Sequence, residues 1–120
     1  MSNIDTAIKF IQTCAMESPK KAFETYVNPN FKHHNQYFPG DRDSLMNAMI
    51  EADKTHPNKS FNVKQVFENE DRVAVFSQVV KDEMEIAVVH IMRFENGKIS
   101  EMWDVGQIID PASPNEFGVF

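Results

Sequence analysis

The stretch EIAVVHIMRFENGKISEMWDVGQII, residues 85–109, contains two long apolar runs separated by a turn-forming tripeptide at 95–97. Apolar runs on either side of an Asn-Gly pair predict a β-hairpin whose strands are covered on both faces. Asp104 lies in the middle of the second run, between Trp103 and Val105. An ionised carboxylate is costly to bury unless it is paired or in contact with a cavity. Asp104 is therefore the first candidate functional residue.

The length of the hairpin loop decides which side chains share a face with Asp104. A three-residue loop, with Gly97 in a left-handed bulge position, pairs Phe94 with Lys98. His90 is then a diagonal neighbour of Asp104 on the same face, about 7–8 Å away. We favour this register because it collects a mostly apolar wall of Ile86, Val88, His90, Met92, Met102 and Asp104.

In the favoured register, His90 is opposite Met102 and Val88 is opposite Asp104. A two-residue loop would instead put His90 and Asp104 on opposite faces, because one residue of slip inverts every side chain. Two titratable groups on an apolar wall need a cavity or each other. The pair indicates either an acid/base site in a hydrophobic pocket or a buried His–Asp contact that only joins two strands.

The remainder of the chain predicts helices first and strands afterwards. Apolar residues recur at helical spacing in three segments, residues 4–17, 18–27 and 41–56. Ser18 and Pro19 are the expected cap and first residue of the second helix, and Asp41 or Asp43 is the expected cap of the third. Beyond Pro57 the period changes to two, which predicts strands at 60–68, 71–81, 85–94 and 98–109.

This order of elements is typical of an α+β fold, in which a curved antiparallel sheet carries the helices on one face. The length of 120 residues suggests one domain, residues 1–120, with a core at 4–110 and a tail at 111–120. The tail ends in the apolar residues Phe117, Val119 and Phe120. Docking on its own subunit, docking on a neighbouring subunit and disorder all stay open for the tail.

Composition argues against several function classes. The formal charge is −6, which argues against nucleic acid and gives no reason to expect an anionic membrane surface as partner. One cysteine, Cys14, excludes a disulfide within the chain, and its place on a helical stripe indicates a small core residue rather than a nucleophile. We see no signal peptide and no membrane span, so a reducing cytoplasm is the expected compartment.

Several other side chains are weaker candidates. His33 and His34 point to opposite faces of an extended segment, so at most one of them enters a pocket, and we favour His34. Gln78 shares a strand face with Phe76 and is a candidate polar contact inside the sheet's concavity. No tight ligand spacing accompanies the histidines, so we expect no metal. Four apolar or aromatic residues are candidates for lining the cavity, although plain core is the more common role of such residues: Tyr26, Phe38, Met49 and Met92.

Trp103 is predicted on the outer face of the sheet, away from Asp104. Because large aromatic residues are enriched at subunit interfaces, a tryptophan on this face predicts a homodimer that forms through it.

The segment RFENGKISEMWDV, which follows VVH and is preceded by three helical segments, resembles the SnoaL-like polyketide cyclases. These proteins belong to the cone-shaped α+β superfamily that includes ketosteroid isomerase and scytalone dehydratase. The resemblance runs from Ile4 to about Asp110 and is strongest from Arg72 to Gln107. It implies a cystatin-like cone, with the sheet wrapped around the N-terminal helices.

The resemblance also implies roles for particular residues. In that family the last strand carries an aspartate that acts as the acid/base, and the preceding strand carries a histidine beside it; these roles fall on Asp104 and His90. The family's polar pair in the first extended segment falls on His34 and Asn35, which would orient the substrate. Met102 and Val88 stand where many members have polar residues, which makes this pocket more apolar.

These observations predict a cofactor-independent lyase, cyclase or isomerase that acts on a small hydrophobic carbonyl compound. Burial is expected to raise the pKa of Asp104, unless a charged His90 beside it opposes that effect. The candidate substrate-binding residues are His34, Asn35, Gln78, Met102, Met92, Val88 and Tyr26. The alternative is a non-catalytic module of the same fold that binds a small ligand or another protein.

Overall fold

Three helices and five strands make up the computed structural model, which describes residues 1–120. The helices are α1 (Asn3–Met16), α2 (Pro19–Tyr26) and α3 (Arg42–Thr55). The strands are β1 (Val27–His34), β2 (Asn58–Asn69), β3 (Arg72–Lys81), β4 (Glu85–Glu95) and β5 (Lys98–Ile108). The α+β prediction is confirmed. None of the three helices combines the length and the apolar composition of a membrane-spanning helix.

Each helix begins at a polar cap. The Ser18 hydroxyl accepts a hydrogen bond from the Lys21 backbone N–H, and Pro19 follows at the first helical position. Asp41 caps α3 by accepting from the Ser44 N–H at 2.9 Å. The predicted caps of α2 and α3 are therefore confirmed.

The five strands form one sheet in the order β1-β5-β4-β3-β2. Neighbours are antiparallel except for β1, which pairs in parallel with β5 and sets His33 opposite Met102. The sequence predicted an extended segment here but not its place in the sheet. This parallel edge strand brings residues 33–35 next to Asp104.

The hairpin loop differs from the favoured prediction. Glu95 pairs directly with Lys98 across a two-residue loop, and Asn96 and Gly97 both have positive φ, at 52° and 78°. This is the backbone that a tight hairpin turn needs. The predicted three-residue loop is therefore wrong.

A bulge in the strand restores the predicted face. Phe94 pairs with Ile99 but Arg93 pairs with Glu101, so Ser100 is an extra residue in β5. The bulge shifts the register by one residue, and His90 comes directly opposite Asp104. The two residues share a face as predicted, but as a direct pair instead of a diagonal one.

The core lies between the helices and the concave face of the sheet. Its largest fully buried side chains are Phe10, Phe23, Met92, Ile99 and Met102. Burial of each such side chain contributes on the order of 1.5–3 kcal/mol.

The C-terminal tail returns to the other face of the sheet. The Phe120 ring lies 5.2 Å from the Phe76 ring, and Lys64 Nζ lies 5.3 Å from the Phe120 ring centre. The sequence left three outcomes open for the tail, and the structure shows the first of them, docking on its own subunit.

Candidate active site

Asp104 occupies the centre of β5 and faces the concave side of the sheet, where three neighbours surround its carboxylate. Asn35, just beyond β1, donates from Nδ2 to Asp104 Oδ1 at 2.6 Å. His33 Nε2 lies 3.3 Å from Oδ2. His90 stands opposite on β4. Asn35, which the family resemblance implies as a substrate-orienting residue, is thus in direct contact with Asp104, and its role toward a substrate stays a prediction.

His33 is the member of the site that the sequence interpretation rejected. Its side chain is fully buried and stacks on the Phe31 ring at 6.4 Å. The 3.3 Å separation from Asp104 is within hydrogen-bond range, but the ring nitrogen is poorly aligned with the oxygen, and neither ring nitrogen makes a proper hydrogen bond. His33 is therefore a close neighbour of the Asp104 carboxylate without a well-formed hydrogen bond to it.

The surroundings of Asp104 keep it ionised. Burial raises the pKa of its carboxyl, but His33 and the Asn35 hydrogen bond oppose this, helped by the nearby His90, and the pKa ends below its ordinary value. The expectation of a raised pKa is therefore wrong. The reason is that partners which favour the carboxylate outweigh the cost of desolvation.

His90 is a neutral imidazole at neutral pH. Burial lowers its pKa to about 4, with Asp104 opposing the change and His33 adding to it. Its Nδ1 atom is buried without a hydrogen-bond partner. The site thus combines a carboxylate with a neutral, under-bonded imidazole, which is an arrangement able to accept and return a proton.

An apolar cavity of about 210 Å³ lies between the helices and the sheet. His90 and Met102 contribute to its wall. The other lining residues are Phe10, Ile11, Cys14, Ala15, Met49, Ala52, Asp53, His56, Asn58, Phe61, Val79 and Lys81.

Asp104 does not line this cavity. It opens instead to a surface groove that it shares with Asn35, Tyr37 and Gly106, and its side chain is 15% exposed. The carboxylate therefore lies beside the His90 wall of the cavity rather than within it.

His34 and Gln78 lie on the convex face of the sheet, so the prediction that they enter the pocket is wrong. His34 stacks on Trp103 at 4.9 Å, and its Nε2 lies 2.6 Å from Glu101 Oε2. Gln78 bonds to the side chains of Asn62 and Glu85. The physical reason is strand parity: His33 pairs with Met102 on the concave face, which turns His34 outward.

The remaining predicted contacts are on the concave side but outside the cavity wall. Met92 is fully buried opposite Met102, and Tyr26 is half-buried against the core. Val88 stands opposite Gly106, on the side of His90 away from Met92. Of the predicted apolar contacts, the structure brings Met49 and Met102 to the cavity, whereas Phe38 is exposed at the surface.

Cys14 lines the cavity as a thiol, because burial raises its pKa well above the ordinary range. This fits the prediction of a small core residue. Groups of three or more His, Cys, Asp or Glu side chains placed to share one metal ion are not found.

The three helices, the mostly antiparallel sheet and the carboxylate on its concave face define a ketosteroid isomerase-like α+β fold with a candidate acid/base site. The family profile described as SnoaL-like polyketide cyclase matches residues 5–112. The chain belongs to this family. No curated protein sequence matches the chain significantly.

Solved structures with the same fold are distant in sequence. AclR of Streptomyces galilaeus, for which hydroxylase activity is proposed, has a TM-score of 0.76 at 18% identity, over 88% of this chain and 79% of that chain. IdmH of Streptomyces antibioticus, a proposed polyketide cyclase, has a TM-score of 0.75 at 14% identity, over 89% and 93%.

A third structure contains a small molecule. This protein of Catenulispora acidiphila has a ketosteroid isomerase-like fold and is in complex with trimethylamine. Its TM-score is 0.68 at 11% identity, over 83% of each chain. At these identities the likeness concerns the fold.

Proposed function

We propose that this chain is a cofactor-independent lyase, cyclase or isomerase that acts on a small hydrophobic carbonyl compound. The acid/base unit is Asp104 with His90 as its partner. The observation that carries the proposal is a mostly buried, ionised carboxylate directly opposite a neutral imidazole that lines an apolar cavity.

The size of the cavity limits the substrate. A cavity of about 150 Å³ lined by apolar side chains binds benzene, and this one measures about 210 Å³. It therefore suits a molecule with one ring, or a small fused pair, rather than a long polycyclic chain. Its wall of Phe, Ile, Met and Val side chains favours an apolar body.

The proposed reaction begins with removal of a proton from the carbon next to the carbonyl. The C–H electron pair moves to the carbonyl oxygen and forms an enolate, and the proton passes to the Asp104–His90 pair. The enolate carbon then attacks a second carbonyl, is reprotonated at another position, or expels a leaving group. These outcomes correspond to a cyclase, an isomerase and a lyase.

Each neighbour of Asp104 has a distinct part in this scheme. His90, which lines the cavity, is the side chain that contacts the carbonyl end of the substrate. Asn35 holds Oδ1 at 2.6 Å and fixes the orientation of the carboxylate. A well-placed general base contributes about 10²–10⁴-fold in rate, so positioning of the substrate in the cavity supplies the remainder.

The test is deuterium exchange at carbons next to the carbonyl, measured by NMR in D₂O with a panel of one-ring ketones and β-diketones. Asp104→Asn and His90→Phe are expected to lose the exchange. Glu101→Gln is the matched control, because Glu101 lies on the same strand and also has a lowered pKa, but its side chain is on the convex face. Equal exchange in wild type and Asp104→Asn would refute the proposal.

Two observations favour a second candidate, a non-catalytic module that binds a small ligand. The lowered pKa of Asp104 makes its carboxylate a weaker base than an ordinary aspartate, and the carboxylate lies outside the cavity wall. In that case ligands from the same panel bind wild type and Asp104→Asn equally, and neither protein catalyses exchange.

We also propose that the chain forms a homodimer through the convex face of the sheet. This face carries exposed apolar side chains, including Val105, 75% exposed, and Ile91. Trp103 lies among them; the His34 ring stacks on it, and the Arg72 guanidinium lies 5.1 Å from its ring centre. Contiguous exposed apolar surface rimmed by polar groups is typical of protein interfaces.

A further inference from the structure

The cavity has a second polar end, away from His90. Asn58 and Lys81 are directly paired across β2 and β3, and both line the cavity. Asp53 and His56 line it from the C-terminal end of α3. Side chains directly opposite in an antiparallel pair lie about 5 Å apart at Cβ, so one ligand group can contact both Asn58 and Lys81.

Asn58 has an acceptor without a donor. Its Nδ2 donates to the Ala15 carbonyl at 3.0 Å. A carbonyl can only accept, so this bond fixes the orientation of the amide. Oδ1 is buried without a hydrogen-bond partner. A buried acceptor of this kind favours a ligand that brings a hydrogen-bond donor.

Lys81 supplies donors beside that acceptor. Its Nζ donates to the His56 carbonyl at 2.6 Å, which places the ammonium group at this end of the cavity. An ammonium has three N–H donors, so two remain for a ligand.

A hydroxyl group suits this pair better than a charged group does. A hydroxyl donates one hydrogen bond and accepts others, so it satisfies Asn58 Oδ1 and Lys81 together. A carboxylate would accept from Lys81, but it has no proton for Asn58 Oδ1 and would be repelled by Asp53. An ammonium group would be repelled by Lys81.

We propose that this end of the cavity binds the hydroxyl group of a small, neutral, hydroxylated apolar ligand. This inference rests on the proposed function in one respect: it takes that ligand to be the substrate. The substrate would then carry a hydroxyl at the Asn58–Lys81 end and its reactive carbonyl at the His90 end. Neither the fold nor the acid/base pair by itself indicates this feature.

Three probes of matched size test the inference: 4-propylphenol, 4-propylanisole and 4-propylbenzoate. Binding is measured by calorimetry or NMR titration on the full chain. The phenol is expected to bind roughly fivefold more tightly than the anisole, which lacks the donor, since one neutral hydrogen bond is worth about 1 kcal/mol. The benzoate is expected to bind more weakly than the phenol.

Variants separate the two contacts. Asn58→Ala is expected to abolish the preference for phenol over anisole. Lys81→Met is expected to weaken both probes by similar factors, because each oxygen accepts from the ammonium group. Lys59→Met is the control, since Lys59 is 62% exposed and pairs with Asp82 at the surface. Circular dichroism verifies folding, and Lys81→Met still tests the site if Asn58→Ala does not fold.

Equal binding of phenol and anisole to wild type, tightest binding of benzoate, or no binding of any probe would each overturn the inference. The phenol preference is expected to persist in Asp104→Asn, which loses deuterium exchange under the proposed function. Failure of the hydroxyl site and failure of the acid/base proposal are therefore separate results.

Discussion

The hydrogen bond from Asn35 to Asp104 offers a quantitative test of the site. We consider a double-mutant cycle of Asn35→Ala and Asp104→Ala. Asn35 also accepts a hydrogen bond from the Tyr37 backbone N–H at 2.7 Å. Asn35→Ala removes this bond both in the wild type and in Asp104→Ala, so its contribution cancels in the cycle. The coupling energy then reports the contact between Asn35 and Asp104.

The expected magnitude follows from burial and charge. Hydrogen bonds to charged groups contribute about 1.5–3 kcal/mol, and Asp104 keeps a small exposed fraction of 15%, which weakens its bond somewhat. We therefore expect a coupling of about 1–2 kcal/mol at pH 7, above the roughly 0.3–0.5 kcal/mol by which independent sites depart from additivity. Urea unfolding measures the four free energies.

The pH dependence has a definite sign. Asp104 has a lowered pKa in the folded protein, so its contribution is fully present above the unfolded pKa of about 3.9 and is lost as pH falls through the folded pKa. The coupling is expected to stay constant between pH 7 and pH 5 and to shrink below about pH 4.

The pair His34 and Glu101 provides the control for the cycle. It has the same 2.6 Å separation, but the His34 side chain is 48% exposed. Exposed ion pairs contribute little because solvent screens them, and we expect less than about 0.5 kcal/mol. An Asn35–Asp104 coupling no larger than this control, or one that does not change with pH, would refute the electrostatic description of the site.

Two further predictions concern His90 and the convex face. The folded pKa of His90, about 4, lies below the unfolded value of about 6.5. Because the unfolded state therefore binds the proton first as pH falls, the free energy of unfolding of the wild type should decrease between pH 6.5 and pH 4, by up to about 3 kcal/mol. Urea unfolding of His90→Leu at the same pH values should lack this decrease. Val105→Glu adds a charge to the apolar convex face and should convert the proposed dimer to monomer in light scattering, with circular dichroism unchanged; a wild-type monomer would contradict the dimer.

The sequence predicted the fold because its signals are local. Caps at Ser18 and Asp41, helical stripes, and the change to period two beyond Pro57 each depend on neighbours in the chain. The pairing of His90 with Asp104 depended on loop geometry and on a bulge at Ser100. The shared face was correct although the loop was wrong, because a tight turn and one extra residue in the strand produce the same parity as the predicted loop.

The remainder of the site depends on contacts between distant elements. His33 is in the site because β1 is a parallel edge strand beside β5, and nothing within residues 31–38 specifies that pairing. Asn58 and Lys81 are far apart in sequence and become neighbours only through the register of β2 and β3. The register of the β2–β3 hairpin was the only feature of the sequence that could have predicted this pairing. The alternation of apolar and polar residues along the strands does not indicate that a cavity lies beside the pair.

A lowered pKa and a role as base are compatible if the substrate itself changes the surroundings of Asp104. The free carboxylate is stabilised by Asn35 and His33, and it keeps a small opening to the surface groove. A substrate in the cavity displaces water from the His90 side of the Asp104–His90 pair, and desolvation raises the pKa of a carboxylate. The carboxylate would then become a stronger base when substrate is bound, and would remain a charged, stable part of the fold when the site is empty.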